Sequence, residues 1–316
     1  MHAALPYPSM LGLAGHWSVQ PVAIVAILLA AGWYLRGLRQ LHRAGTAWPI
    51  HRVVAFIGGL AGFGWATNGF LQTYSHALFW IYLTQLLLIF LILPGLVLAG
   101  QPVLLSRLTK GDRAALVRLV GSRAGRLFAS PLVGPALVPL ISAALFFGPL
   151  PGWAISQAAV GWPLQVAVFA AGAFVALPLI SAEDSRGSLA VGLALAVGAF
   201  ELVLDAIPGI ALRLHTTLVS NYFDYRSTYS WTPRAIRDQQ IGGAILWTLA
   251  ELIDLPFLVL VYRSWIRADE RDAARIDTVL AAERIARGED PDTTIGESDA
   301  PWWLDDPAVR GRLDQS

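Results

Sequence analysis

Four acidic residues lie inside long apolar stretches of this chain: Glu201, Asp205, Glu251 and Asp254. Glu201 and Asp205 are four apart, and Glu251 and Asp254 three apart, so on a helix each pair shares a face. A carboxylate in such a stretch is costly to bury unless it is paired, holds a cation or carries protons. Asn68, Gln72, His76, Gln85, Asp238, Gln239 and Gln240 are further polar residues at the ends of apolar stretches or within them. One or two imidazoles with carboxylates make a hard to intermediate donor set, better suited to a cupric or zinc ion than to a cuprous one. The candidate metal ligands are His76, Glu201, Asp205 and Asp238. The competing reading makes the same side chains a hydrogen-bonded network that ties helices together, with Arg213 or Arg237 pairing the carboxylates.

Other chemistries are excluded by what is missing. There is no cysteine, so no disulfide, thiolate site or catalytic thiol. Met1 and Met10 are the only thioethers. His2, His16, His42 and His51 are scattered and read as solvated surface histidines. No phosphate-binding glycine loop, Ser-His-Asp set or His-Glu-x-x-His helix is present, and no nucleic-acid signature. The chain does not read as an enzyme.

The elements that must position these residues are membrane helices. Of 316 residues, 55% are hydrophobic and 14% charged, against roughly 25% charged in a soluble domain. The apolar residues fall in blocks of about 20, long enough to cross a bilayer. Seven crossings are expected, near 21–38, 53–71, 77–98, 127–147, 163–180, 189–212 and 239–262. Pro94-Gly95 should interrupt the third, and Pro131, Pro135 and Pro139 should bend the fourth. Positive charges follow the first apolar block rather than precede it, which reads as an uncleaved helix with its N-terminus outside. With this orientation nineteen of the 23 basic residues lie inside, as the positive-inside rule requires. The aromatic stretch Asn221 to Trp231 suits an interface.

The last crossing opens on Asp238-Gln239-Gln240, followed by Gly242-Gly243, a pair small enough for another helix to approach closely. At about 1.5 Å per residue, Glu251 lies roughly 18 Å from Gln239, near mid-membrane. Asn68, Gln72, His76, Glu201, Asp205, Asp238 and Gln239 belong to the outer half. The expected division is a transmembrane domain over 1–267 and a cytoplasmic tail over 268–316. The tail should be helical to about Arg287, then mostly disordered, with Trp302-Trp303 able to dock on the membrane or a partner.

Several motifs carry a resemblance. They are Trp33-Tyr34-Leu35-Arg36-Gly37 with Gly45-Thr46-Ala47-Trp48-Pro49 and Arg52; Leu86-Leu87-Leu88 with Leu93 to Pro102; Asp205-Ala206-Ile207-Pro208-Gly209-Ile210; and the Asp238 run into Arg267-Ala268-Asp269-Glu270-Arg271. In order and spacing they resemble the CtaG family of membrane-embedded cytochrome c oxidase assembly factors, from about Trp33 to Asp272. The resemblance implies a multi-pass protein of the bacterial inner membrane that partners oxidase subunits and aids copper delivery. It also shows a departure. The family often carries histidines four apart at the start of the third helix, where this chain has Ile81 and Gln85. A further family histidine on the sixth helix is replaced around Glu201. Two other functions remain open: a metal- or proton-coupled transporter using Glu201, Asp205, Glu251 and Asp254, and a metal-free chaperone of an oxidase subunit. The missing family histidines, the lack of Cys and the scarcity of Met favour the chaperone of these two.

Overall fold

The structure, a computed structural model, describes residues 5–9, 15–123, 125, 133–180 and 204–286. Among them all regular elements are helical, and an isolated parallel bridge joins Gly148 to Ser220. Two compact units are distinguished: Met1–Asp184 with Leu193–Val261, and Ser185–Gly192 with Tyr262–Ser316.

The first unit begins with α1, Pro21–Arg43. Proline at the first helical position gives up an N–H that would have no partner there. His42 and Arg43 in the last turn complement the helix dipole. Val22, Val25, Leu28, Leu29 and Leu35 are exposed along this helix, a face fit for lipid rather than water. A tight turn at Gly45, with φ of 73°, leads to α2, Ile50–Asn68. Gly69 breaks the helix, and a short α3, Phe70–Tyr74, completes the crossing.

The third crossing is in three pieces: α4, Phe79–Leu87; a π turn, Leu88–Ile92; and α5, Leu93–Ala99. The interruption expected at Pro94-Gly95 takes this form for a physical reason. Pro94 has no N–H and its ring crowds the carbonyl four residues back, at Phe90. The widened π turn relieves that clash. The Phe90 carbonyl then faces α10, Ala158–Ile180, at Gly172, where an added Cβ would stand 1.9 Å from its oxygen. The same segment meets α2 at two more glycines: Leu93 lies against Gly62, and Val97 against Gly59. This segment is therefore the centre of the bundle, and Phe79, Ile81, Leu83 and Ile89 on it are fully buried.

The basic stretch after Gly100 is helical: α6, Pro102–Lys110; a 3₁₀ turn, Gly111–Arg113; and α7, Ala115–Val120. The entry residue Gln101 is left-handed, with φ of 55°. At this end a second cluster forms. Tyr34 stacks on Phe56 at 3.8 Å between centroids, donates to the Gly100 carbonyl at 2.8 Å and accepts from Trp48 Nε1 at 3.1 Å. Arg52 lies over the Trp48 ring at 5.0 Å. Tyr34, Trp48 and Arg52, all from the first of the resemblance motifs, therefore gather with Phe56, Gly100 and Leu105.

Then come α8, Val133–Phe146, with Pro139 inside it, and α9, Leu150–Ser156. After α10, residues 204–214 form α11, Tyr222–Tyr225 form α12, and Ala235–Ala286 form α13. Among the described residues four helices are long and apolar enough to cross a membrane: Pro21–Arg43, Ile50–Tyr74, Phe79–Ala99 and Ala158–Ala176. Seven were expected, and the other three fall partly outside the described residues. Of the fourth, 127–132 is outside, and its apolar helix Leu137–Phe146 is too short. Of the sixth, only 204–212 is described. The seventh lies within α13, where side chains at 253–258 are not described. The bends expected at Pro131 and Pro135 involve residues outside the description or without described side chains.

In the second unit the described part is the stretch 262–286 of α13, with Ile266, Ile276, Val279 and Leu280 exposed. The tail beyond it, including Trp302-Trp303, lies outside the described residues.

Candidate functional site

The polar residues at one end of the bundle form two adjoining constructions. The first is a clamp around Asp238, on the opening turn of α13. Its Oδ2 accepts from the Phe79 backbone N–H at 3.0 Å, and its Oδ1 from that of Trp80 at 3.2 Å. These are orphan donors at the start of α4, and a carboxylate suits the positive end of that helix. Asp238 thus caps a helix 159 residues away in sequence. Oδ2 also accepts from Arg226 Nη1 at 2.8 Å, in an ion pair whose side chains are 0% and 7% exposed. Arg226 Nη2 donates to the Pro233 carbonyl at 3.0 Å, and its guanidinium lies 5.3 Å from the centre of the Phe223 ring. The pairing partner is Arg226, not Arg213 or Arg237 as expected.

The aromatic segment 215–234 is held down by the same kind of contact. Gln239 Oε1 accepts from Val219 N–H at 3.0 Å, and Gln239 Nε2 donates to the Thr217 carbonyl at 3.1 Å. Tyr222 O–H donates to the Ser75 carbonyl at 2.7 Å. Burial, and then the Asp238 carboxylate, hold the Tyr222 phenol well above its ordinary range, so it stays a donor. Ser227 N–H donates to the His76 carbonyl at 2.7 Å, and Trp231 Nε1 to the Leu5 carbonyl at 2.9 Å. The expected Gly-Gly pair makes two close crossings. A Cβ at Gly242 would stand 3.0 Å from the Phe79 ring, and one at Gly243 would stand 2.7 Å from the Gly209 carbonyl on α11.

The second construction is a cavity of about 440 Å³ between the start of α1, the α3–α4 junction, α9 and α10. Its polar lining includes Ser18, Gln20, Gln72, His76, Gln85 and Gln165, with further hydroxyls from Thr73, Ser75 and Ser156. Gln72 organises it. Its Oε1 accepts from Gln85 Nε2 at 2.7 Å and from Gln165 Nε2 at 2.8 Å. That fixes its amide orientation, so Gln72 Nε2 donates to His76 Nε2 at 3.3 Å. Gln85 Nε2 also donates to the Ala66 carbonyl at 2.7 Å. His76 must therefore be neutral with a bare Nε2. Burial lowers its pKa, opposed by a hydrogen bond to the Ile155 backbone. Nearby, Asn68 Oδ1 accepts from the Gln20 backbone N–H at 2.6 Å, and Asn68 Nδ2 donates to the Gly64 carbonyl at 3.1 Å.

The candidate ligands are not gathered. His76 sits in the cavity and Asp238 in the clamp. Asp205 is buried on α11. Glu201 lies outside the described residues. Among the described residues no three His, Asp or Glu come together as a metal site. The donor chemistry of the cavity does not fit a resident copper ion: it offers amides, hydroxyls and an imidazole whose Nε2 is occupied, with no sulfur or carboxylate. Of the other polar candidates, Gln240 is half-buried on α13. Glu251 accepts from Trp247 Nε1 one turn back on the same helix. The side chain of Asp254 is outside the described residues.

The sequence reading missed Arg226, Gln20 and Gln165. Arg226 had one signal, as one of only four basic residues expected outside. Gln165, an amide inside an apolar block, had another.

Comparison with known proteins fits this architecture. No solved structure matches the chain. It is 26% identical over 285 residues to uncharacterized proteins of Mycobacterium bovis and Mycobacterium tuberculosis, covering 86% of this chain. An uncharacterized Mycobacterium leprae protein is 29% identical over 274 residues, covering 81% of this chain. The chain spans only 40% of the length of these relatives. The family described as cytochrome c oxidase caa3 assembly factor (Caa3_CtaG) matches residues 32–268, three quarters of the chain, and includes the clamp and nearly all of the cavity. The chain belongs to the Caa3_CtaG family of cytochrome c oxidase assembly factors.

Proposed function

We propose that this chain assists cytochrome c oxidase assembly from within the bacterial plasma membrane by holding an oxidase subunit, without a resident metal. The observation that carries this is the chemistry of the cavity: a neutral, amide-lined space with no carboxylate or sulfur in its wall. Such a wall suits a polypeptide better than an ion. Family membership supplies the oxidase as the partner and suggests a non-enzymatic role. The orientation proposed has seven crossings, with the cavity end outside and the basic helices α6 and α7 in the cytoplasm. The bias of nineteen among 23 basic residues supports it.

Cytochrome c oxidase purified from cells lacking this gene tests the proposal. The holding role predicts less oxidase with an unchanged copper-to-haem ratio. A lowered ratio with haem retained would overturn it in favour of copper delivery, the step the family resemblance implies. Normal oxidase in amount and composition would reject both and leave the transporter reading.

A further inference from the structure

The cavity holds more polar groups than its own network uses. Ser18 Oγ, Gln20 Oε1, Gln20 Nε2 and Gln165 Oε1 are buried with no hydrogen-bond partner among the described residues. Gln20 is 2% exposed and Gln165 7%, and both line the cavity. Stranding such groups costs stability, so each calls for a partner.

Local structure does not account for Gln20. It stands at the N-cap of α1, where Ser, Thr, Asp or Asn would be favoured, and its side chain makes no capping bond. Its backbone N–H is already taken by Asn68. The amide is therefore free to serve the cavity. Gln165 is different: its Nε2 is committed to Gln72, which turns its Oε1 outward from the network.

The open valences define the ligand. Gln20 presents a donor and an acceptor side by side, as a peptide unit does. Gln165 adds an acceptor, and the Ser18 hydroxyl serves either way. A phosphate headgroup only accepts and would leave the two amide oxygens unserved, and no Lys or Arg lines the wall. An ammonium group finds no carboxylate there. The volume lies in the roughly 300–1,000 Å³ range of small-ligand sites, enough for a short segment and not for a domain. We infer that this cavity receives a short extended polypeptide segment of the oxidase subunit, gripped through its backbone amides by Gln20, Gln165 and Ser18. This rests on the holding role proposed above.

The test places a photo-crosslinking p-benzoyl-phenylalanine at position 162 in place of Trp162, which lines the cavity. The full chain is irradiated in cells that make the oxidase, and adducts are read by mass spectrometry. The expected result is an adduct to one segment of an oxidase subunit, reduced at least tenfold by Gln20→Met. Because the Gln20 amide has no partner among the described residues, Gln20→Met leaves the thermal midpoint of the purified chain unchanged or raises it. A merely structural glutamine would lower it. Ser18→Ala, which removes another unpartnered atom, repeats the test should Gln20→Met fail to accumulate. An adduct to lipid alone, to another protein or to nothing would overturn the inference, as would an adduct indifferent to both substitutions. Loss of oxidase in cells lacking the gene, alongside any of these failures, would leave the holding role standing and remove only the site.

Discussion

Removing the carboxylate of Asp238 tests how the two halves of this chain are joined. Asp238→Ala takes away three acceptor contacts at once: from Phe79 and Trp80 N–H, at 3.0 and 3.2 Å, and from Arg226 at 2.8 Å. Arg226 would remain 7% exposed, with the Pro233 carbonyl as its remaining partner here. An ion left unpaired in such a place costs about 3–5 kcal/mol. Each stranded backbone donor adds about 1–3 kcal/mol, but the terms overlap because all the groups meet at one carboxylate. A loss of about 4 kcal/mol is expected, measured by denaturation of the purified chain in detergent micelles followed by near-ultraviolet circular dichroism. The second arm is Arg226→Met in the same background. It removes the stranded charge, and it should restore about 2 kcal/mol, because much of the penalty is the lone buried ion. A double variant no more stable than Asp238→Ala, or a single variant within about 0.5 kcal/mol of the parent, the range of ordinary surface changes, would refute the reasoning.

Helix spacing offers another check. Gly243→Val should destabilise by about 1–3 kcal/mol or prevent folding, since even a Cβ would stand 2.5 Å from the Arg213 nitrogen. Gly95→Ala, with nothing within 4 Å, should be neutral or slightly stabilising in the same denaturation assay. The pH dependence should carry the signature of His76, whose pKa is lowered by burial. The unfolded chain then binds the proton more readily, so stability is full above the unfolded value of about 6.5 and falls as the pH drops below it. His76→Gln, which cannot take up a proton, should flatten that decline. An equal decline in the variant would assign it to another group.

Much of this architecture was readable from residue types alone. Apolar blocks of about 20 residues marked four helices long and apolar enough to cross a bilayer. Pro94 marked the interruption in the third, because a missing N–H is a local fact. Gly242-Gly243 marked a close helix approach, because absence of a side chain is local too. The family was legible from the order of short motifs.

What the sequence could not decide was partnership. Asp238 could be read as a network residue or as a metal ligand, since a carboxylate can satisfy either need. Its role followed from the fold, which brings Phe79, Trp80 and Arg226 around it. Gln72 and Gln85 were visible as polar residues in apolar surroundings. That Gln72 would bind Gln85, Gln165 and His76 together required three helical segments to meet. Pairings between residues tens of positions apart depend on which helix faces which, and hydrophobic periodicity leaves that open. Only the packed bundle settled which amides satisfy one another, and which atoms, at Gln20 and Gln165, have no hydrogen-bond partner among the described residues.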